Sequence, residues 1–303
     1  MYHLYTRVIE PGFFASAQVH AAAVIGGAVA VISAVTGVFT VLRGQSFGGH
    51  ALTDVSTAGG SGALLAGVSP VTGFVGLSII GAGLMETIGI RRARGRDLAT
   101  GIVLGASIGL GALFLYLDTT ASTTTGATQQ ILFGSIFTIG SGIVPVVVIF
   151  SAISLGCIAL VYRPLLLTAV STDMAAARGV PVRLVGMVYM LALAVSVGLS
   201  SLAIGSVLST ALLIGPAAAA LRVTKKTGRA VVVACLTGTG ATWLGVLLAY
   251  DSYYWSPGHQ GLPVSFFIVA LVLAAYLLSG LAATRTATAA RETAVPAVSG
   301  PGR

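Results

Sequence analysis

Apolar runs recur along the chain, each broken by charged residues or by a short cluster of Gly, Pro or Ser. They lie at roughly 21–42, 51–68, 73–90, 98–117, 143–162, 184–200, 203–221, 230–250 and 263–283. A helix needs about 20 apolar residues to cross the hydrocarbon core of a bilayer, and each run approaches that length. The pattern predicts an all-α, polytopic transmembrane bundle of about eight or nine helices. One block reads two ways. Between Leu184 and Leu221 the apolar run continues through Gly198 and Ser200-Ser201, as two short spans or as one long broken helix.

The same pattern divides the chain into an outer N-terminal segment (1–20), a transmembrane domain (21–283) and a tail (284–303). The tail is rich in Ala, Thr, Pro and Gly, a composition that predicts disorder. Arg7 and Glu10 precede Pro11-Gly12, and the run that follows is long enough to stay in the membrane rather than act as a cleaved signal.

Composition agrees with lipid as the solvent. Hydrophobic residues make up 56% of the 303 positions and charged residues 8%, whereas a soluble domain carries about 25% charged residues. The net charge of +8 would suit nucleic acid, but the position of the charges excludes it. Fifteen of the sixteen Lys and Arg residues fall on alternate loops, around Arg43, Arg91–Arg96, Arg163–Arg183 and Arg222–Arg229, and in the tail; Arg7 lies opposite. This bias marks the basic side as cytoplasmic. The expected topology is a multi-pass protein of the cell (plasma or inner) membrane, with its N-terminus outside and its C-terminus in the cytoplasm. Cys157 and Cys235 each sit inside an apolar run without ligand spacing and read as buried small residues.

Polar residues at membrane depth are the candidates for chemistry, because charge there is costly. His50 and Asp54 stand four residues apart, so one helix face carries imidazole above carboxylate. That donor pair suits a divalent transition metal; the alternative is an interfacial histidine and a capping or paired aspartate. Glu86 is a weaker candidate, either in a translocation path or paired with an arginine of the Arg91–Arg96 cluster. Asp97 reads as an N-cap, His20 as interfacial, and Asp118, Asp251 and His259 as exposed outer-face residues. Gly101, Gly105 and Gly109 repeat every fourth residue, a smooth stripe expected to let helices pack closely. Between Arg163 and Arg183, the string Asp173-Met174-Ala175-Ala176-Ala177-Arg178-Gly179 has an acidic start, an alanine body, a basic end and a glycine stop. It predicts a short capped helix on the cytoplasmic face, open to a soluble partner or to the lipid surface.

Four segments together resemble the permease subunit of ABC importers for manganese, zinc or iron, the ABC-3 type. They are Gly37–Arg43 leading into Ser46–Asp54; Leu132-Phe133-Gly134-Ser135-Ile136; Asp173–Pro181; and Gly205-Ser206-Val207-Leu208 through Ala211–Ala217. The outer loop through Gly261-Leu262-Pro263 also fits, and the resemblance runs from about Ala21 to Gly280. It implies a type II importer permease that forms a homodimer or heterodimer, pairs with cytoplasmic ABC ATPase subunits and receives its ion from an extracellular metal-binding protein. It implies no permanently bound cofactor: the metal is the transported cargo. The segment Asp173–Gly179 corresponds to the coupling helix that seats on the ATPase. One departure concerns the ion path. The family usually shows Asp at the position of His50 and His at that of Asp54, with a proline four residues later where this chain has Ala58. The donor types are kept and their order is exchanged.

The chain contains no GxxxxGK[ST] phosphate loop, so the resemblance implies hydrolysis by a partner. A siderophore or corrin permease of the same architecture is the nearest alternative. A secondary transporter would favour inverted repeats, and no clear repeat is visible. A membrane enzyme is disfavoured by the scatter of the few His and acidic residues and the lack of an HExxH string.

Overall fold

The computed structural model describes residues 16–89, 93–121, 126–134, 136–255 and 261–294. The described residues contain no strand. Their helices are α1 (Ala17–Leu42), α2 (Ser46–Leu65), α3 (Pro70–Gly89), α4 (Ala93–Ala121), α5 (Ala127–Phe133), α6 (Val144–Leu160), α7 (Tyr162–Val170), α8 (Thr172–Ala177), α9 (Val182–Ile204), α10 (Ser206–Val223), α11 (Thr227–Trp255) and α12 (Val264–Ala294). A short 3-10 turn, Ser141–Ile143, leads into α6.

Among these, α1, α2, α3, α4, α6, α9, α10, α11 and α12 match the nine apolar runs one for one. Eight of them are long and apolar enough to cross a membrane. The remaining one, α2, has the 20 residues required but carries His50, Thr53, Asp54, Ser56, Thr57 and Ser61 among them. The chain is therefore a multi-pass membrane protein with one conspicuously polar helix.

The centre of the bundle is α1 against α9, the two most buried spans. Hydroxyls zip them together: Ser33 Oγ lies 2.7 Å from Ser200 Oγ, Thr36 donates to Ser196 Oγ at 3.0 Å, and Thr40 Oγ1 bonds the Tyr189 hydroxyl at 2.8 Å. In lipid such contacts replace the water-driven packing of soluble cores. On one flank, α2 packs on α3 and α4; on the other, α10, α11 and α12 pack on one another, and α10 and α11 also on α1. Glycines set the closest approaches, but not those of the expected stripe. A Cβ on Gly59 would collide with the Gly73 carbonyl, and one on Gly73 with that of Gly59. Gly101, Gly105 and Gly109 have no atom of another element within 4 Å of where a Cβ would stand. The stripe on α4 is smooth, yet among the described residues nothing packs into it.

Gly205 settles the block from Leu184 to Leu221 as two helices. With φ 93 and ψ 153 it ends α9 and starts α10 within one residue. Its α-carbon backs onto Gly134, itself at φ 80, so tightly that a Cβ on either would enter the other segment's backbone.

Several sequence expectations are corrected here. Asp97 is not an N-cap, because α4 begins at Ala93 and Asp97 lies a turn inside it. Asp118 and Asp251 are buried, at 6% and 3% exposure, because each stays on the last turns of a long helix instead of entering a loop. Cys157 and Cys235 are half-buried free thiols rather than fully buried ones. His20 is exposed on the first turn of α1, where an interfacial residue belongs. His259, the side chains of Arg91–Arg96 and Ser135 lie outside the residues described, and with them the expected pairing of Glu86 to that cluster. Helix α12 continues to Ala294, past the Thr284 boundary drawn from composition.

Candidate functional site

Helix α1 ends at Arg43, and Gly44, at φ 63, turns the chain so that α2 can begin at Ser46. This string, Gly44-Gln45-Ser46-Phe47-Gly48, has the letters of a hydrolase nucleophile elbow, but it joins two helices and no strand precedes it. Helix α2 is two-faced. Ala51, Leu52 and Val55 are buried against the bundle, while His50 is exposed and Asp54 half-buried on the other side. The i,i+4 pair expected from the sequence is thus formed on one open face.

Helix α10 completes that face. Because α10 starts immediately after Gly205, its Ser209 and Thr210 stand beside α2. His50 Nδ1 is 3.2 Å from Thr210 Oγ1, and Thr210 Oγ1 is 3.2 Å from Thr53 Oγ1. Ser209 donates to Thr53 Oγ1 at 3.4 Å and receives from Ser201 at 3.4 Å. An imidazole whose Nδ1 is engaged presents its other nitrogen, Nε2, to a ligand. Thr53, Ser209 and Thr210 were not singled out in the sequence. The signal for the last two was the single polar pair inside Val207–Leu213, within a segment of the family resemblance that names only its apolar ends.

Together these residues offer one imidazole, one carboxylate and hydroxyl oxygens. That is a partial shell suited to a divalent ion of intermediate hardness. Among the described residues no group of three or more His, Cys, Asp and Glu side chains converges. Other ligands to an ion here would be hydroxyls, water or groups from outside the chain. Glu86 is not brought to this pair. Its carboxylate lies against Gly186 of α9, where a Cβ would come within 2.7 Å of Oε1. It lines a cavity of about 290 Å³ with Arg43, Gln45, Met85, Thr100 and Met190, and neither His50 nor Asp54 borders that cavity.

The short capped helix expected after Arg163 is present as α8. Ser171 caps it, accepting from the Met174 backbone N–H at 3.2 Å, and Asp173 sits in the first turn. At its end Gly179, at φ 77, donates to Ala176 O at 2.9 Å and Val180 donates to Ala175 O at 3.0 Å. This is the paired closure that a left-handed residue after a helix permits. Ala175 anchors the helix, fully buried, while Asp173, Met174, Ala176, Ala177, Arg178 and Gly179 are exposed. At the other end of the bundle, the backbone N–H of Leu262 donates to Ser252 Oγ at 2.9 Å and ties the last loop to α11. Two cavities, about 370 and 400 Å³, meet around Phe137, Gly261 and Leu262.

The described residues thus form an all-helical membrane bundle with a polar helix opening on one face and a capped helix exposed at one end. The chain belongs to the ABC 3 transport family, whose sequence profile matches residues 16–282. It is 31% identical over 229 residues to the manganese transport system membrane protein MntC of Halalkalibacterium halodurans, covering 75% of each chain. It is 27% identical over 270 residues to the chelated iron transport system membrane protein YfeC of Yersinia pestis, covering 88% of this chain and 87% of that one. Among solved structures, a chain of PsaBC from Streptococcus pneumoniae in complex with Fab superposes with a TM-score of 0.76 at 22% identity, over 92% of this chain and 95% of that one. That likeness establishes the fold. The chain is a permease of the metal-transporting ABC-3 type.

Proposed function

We propose that the chain is the membrane subunit through which a divalent metal ion, manganese foremost, is imported at the expense of ATP. The reading is carried by one observation: among the described residues, the one long helix too polar to qualify as an ordinary span, α2, presents His50 and Asp54 together on an open face. Manganese is favoured by the likeness to MntC, a manganese transport system membrane protein. Zinc and iron suit the same donors.

An exposed imidazole and a half-buried carboxylate at membrane depth are not stable against lipid. A second permease copy, identical or similar, across a water-filled path along this face would relieve that cost. The excess of Lys and Arg on these loops supports a cytoplasmic α8, whose exposed Met174 and alanines would seat in a groove of an ABC ATPase. The N-terminus and the Gly261–Pro263 loop then lie outside, where a metal-binding protein would deliver the ion, and residues 284–303 form a cytoplasmic tail. Closure of the ATPase pair would move α8 and rock the permease halves, opening the His50–Asp54 face to alternate sides.

The test is accumulation of radioactive manganese by cells carrying the intact transporter, with Asp54→Ala and His50→Ala beside wild type. Loss of uptake with membrane levels unchanged supports the reading; unchanged uptake by Asp54→Ala removes that residue from the path. The YfeC relative favours a second reading, a chelated ion as cargo. Uptake of the chelate but not of the free ion would decide for it.

A further inference from the structure

Helices α7 and α8 form the bridge between α6 and α9, separated from each other only by Ser171. The bridge is held to the bundle at few points. Leu165 and Thr168 are the buried residues of α7, and the Tyr162 ring meets Phe39 of α1 edge-on, with centroids 5.7 Å apart. Arg43 makes the polar attachment. Its Nη1 donates to Thr168 Oγ1 at 2.9 Å. The same guanidinium lies 4.9 Å above the ring centre of Tyr189 on α9. Tyr189 is itself fully buried and bonded to Thr40 of α1.

Arg43 also closes α1, and two residues later the chain enters α2. One side chain therefore joins three parts: the helix before α8, the innermost helix α9, and the root of the helix that carries His50 and Asp54. Behind it a single apolar cluster contains Phe39 of α1, Leu52 and Val55 of α2, Leu165 of α7 and Tyr189 of α9. The buried face of α2 is thus keyed to α7, while its opposite face carries the ion-path pair.

We propose that Arg43 is a positioning residue that transmits displacement of α8 to α2. The proposal rests on the permease reading above. Thr168 lies one turn before the Ser171 cap, so a push on α8 arrives through a helix rather than a slack loop. A guanidinium is suited to the role because its planar fork can donate to one element and stack on another at once, which a lysine cannot. Arg43 itself touches no ion in this scheme; it fixes where His50 and Asp54 stand when α8 moves.

The experiment uses the permease purified with the ATPase that accompanies it, reconstituted in proteoliposomes, with manganese as the probe. Ions moved and ATP hydrolysed are measured together for wild type, Arg43→Gln, Arg43→Lys and Thr168→Val. Arg43→Gln and Thr168→Val should go on hydrolysing ATP while ions moved per ATP fall about tenfold or more, the factor carried by one lost hydrogen bond to a charged group. Arg43→Lys should recover part of the loss. A purely structural role would lower hydrolysis, transport and assembly together and leave the ratio unchanged, and that result overturns the proposal. Thr168→Val removes the acceptor without touching Arg43, so the ratio can be read even if Arg43→Gln fails to assemble. A wild type that moves manganese without ATP would overturn the permease reading instead.

Discussion

Gly205 is the residue on which the geometry of the site most directly depends, and replacing it with alanine tests that dependence. Two costs arise. At φ 93 and ψ 153 the backbone occupies a region that is essentially glycine-only, worth about 1–3 kcal/mol to a residue with a Cβ. The new methyl would also enter the backbone of Leu132–Gly134, which cannot rotate aside as a side chain can. Overpacking of this kind adds about 1–3 kcal/mol. Together Gly205→Ala should lose about 2–6 kcal/mol. For a chain of this size that corresponds to a fall in melting temperature of roughly 3–9 °C. The assay is thermal unfolding of the purified protein in detergent, with Gly105→Ala as the internal control. Gly105 lies mid-helix with no neighbour within 4 Å of its would-be Cβ, and alanine there should be neutral or stabilising by up to about 1 kcal/mol. If Gly205→Ala melts with wild type, or Gly105→Ala falls as far, the reasoning from close approach and positive φ is refuted. Manganese uptake should fall with Gly205→Ala as well, because Thr210 would leave its place beside His50.

Three further outcomes follow from other parts of the structure. Thr210→Val should weaken uptake by raising the half-saturating manganese concentration, whereas Thr210→Ser should restore it; an unchanged concentration dependence would detach Thr210 from the path. Ser171→Ala and Gly179→Ala remove the two caps of α8, each at about 1 kcal/mol, and should reduce the ATPase recovered in pull-downs without affecting insertion. Tyr189→Phe deletes the Thr40 bond between α1 and α9 and should cost about 0.6 kcal/mol in detergent unfolding, the typical worth of an interhelical hydrogen bond in a membrane bundle.

The spans were legible because lipid imposes a length and a hydropathy on every crossing segment, and the interruptions by charge are sharp. The paired donors were legible too, since an i,i+4 spacing places His50 and Asp54 on one face whatever surrounds the helix. What lay beyond reach was which elements meet. Periodicity at Gly101, Gly105 and Gly109 reports a smooth face but not a neighbour; the glycines that do bring helices together, such as Gly59 and Gly73, come from different spans and form no pattern along the chain. Thr210 was missed for the same reason: its role arises from α10 lying beside α2. Within Leu184–Leu221 the expected break lay around Gly198 and Ser200-Ser201, but it falls at Gly205. Gly198 stays helical and lies so close to the Phe74–Val75 backbone that a Cβ there would stand 3.0 Å from it, whereas Gly205 takes a positive φ and ends the helix. Asp118 and Asp251 were misplaced because hydropathy ends a span at the first charge, while the helix carries on for another turn.

The hydroxyls of α2 show why its open face calls for a path and not merely for a packing partner. Thr53, Thr57 and Ser61 each donate to a carbonyl four residues earlier, at 3.2, 2.9 and 2.8 Å, and Ser56 donates to Phe74 O at 3.2 Å. These groups are satisfied inside the chain and need nothing from outside. His50 and Asp54 are different. Among the described residues the hydrogen-bond partner of His50 lies on Nδ1, and both side chains reach the surface of the bundle. Burying an aspartate at mid-bilayer costs about 2.5–3.5 kcal/mol on insertion scales. A face meant for tight packing with lipid or a second helix would carry small apolar residues, as the α4 stripe does. A face that keeps imidazole and carboxylate at a cost of that size, beside the satisfied hydroxyls of Thr53, Ser56, Thr57 and Ser61, is what the proposed ion path would require.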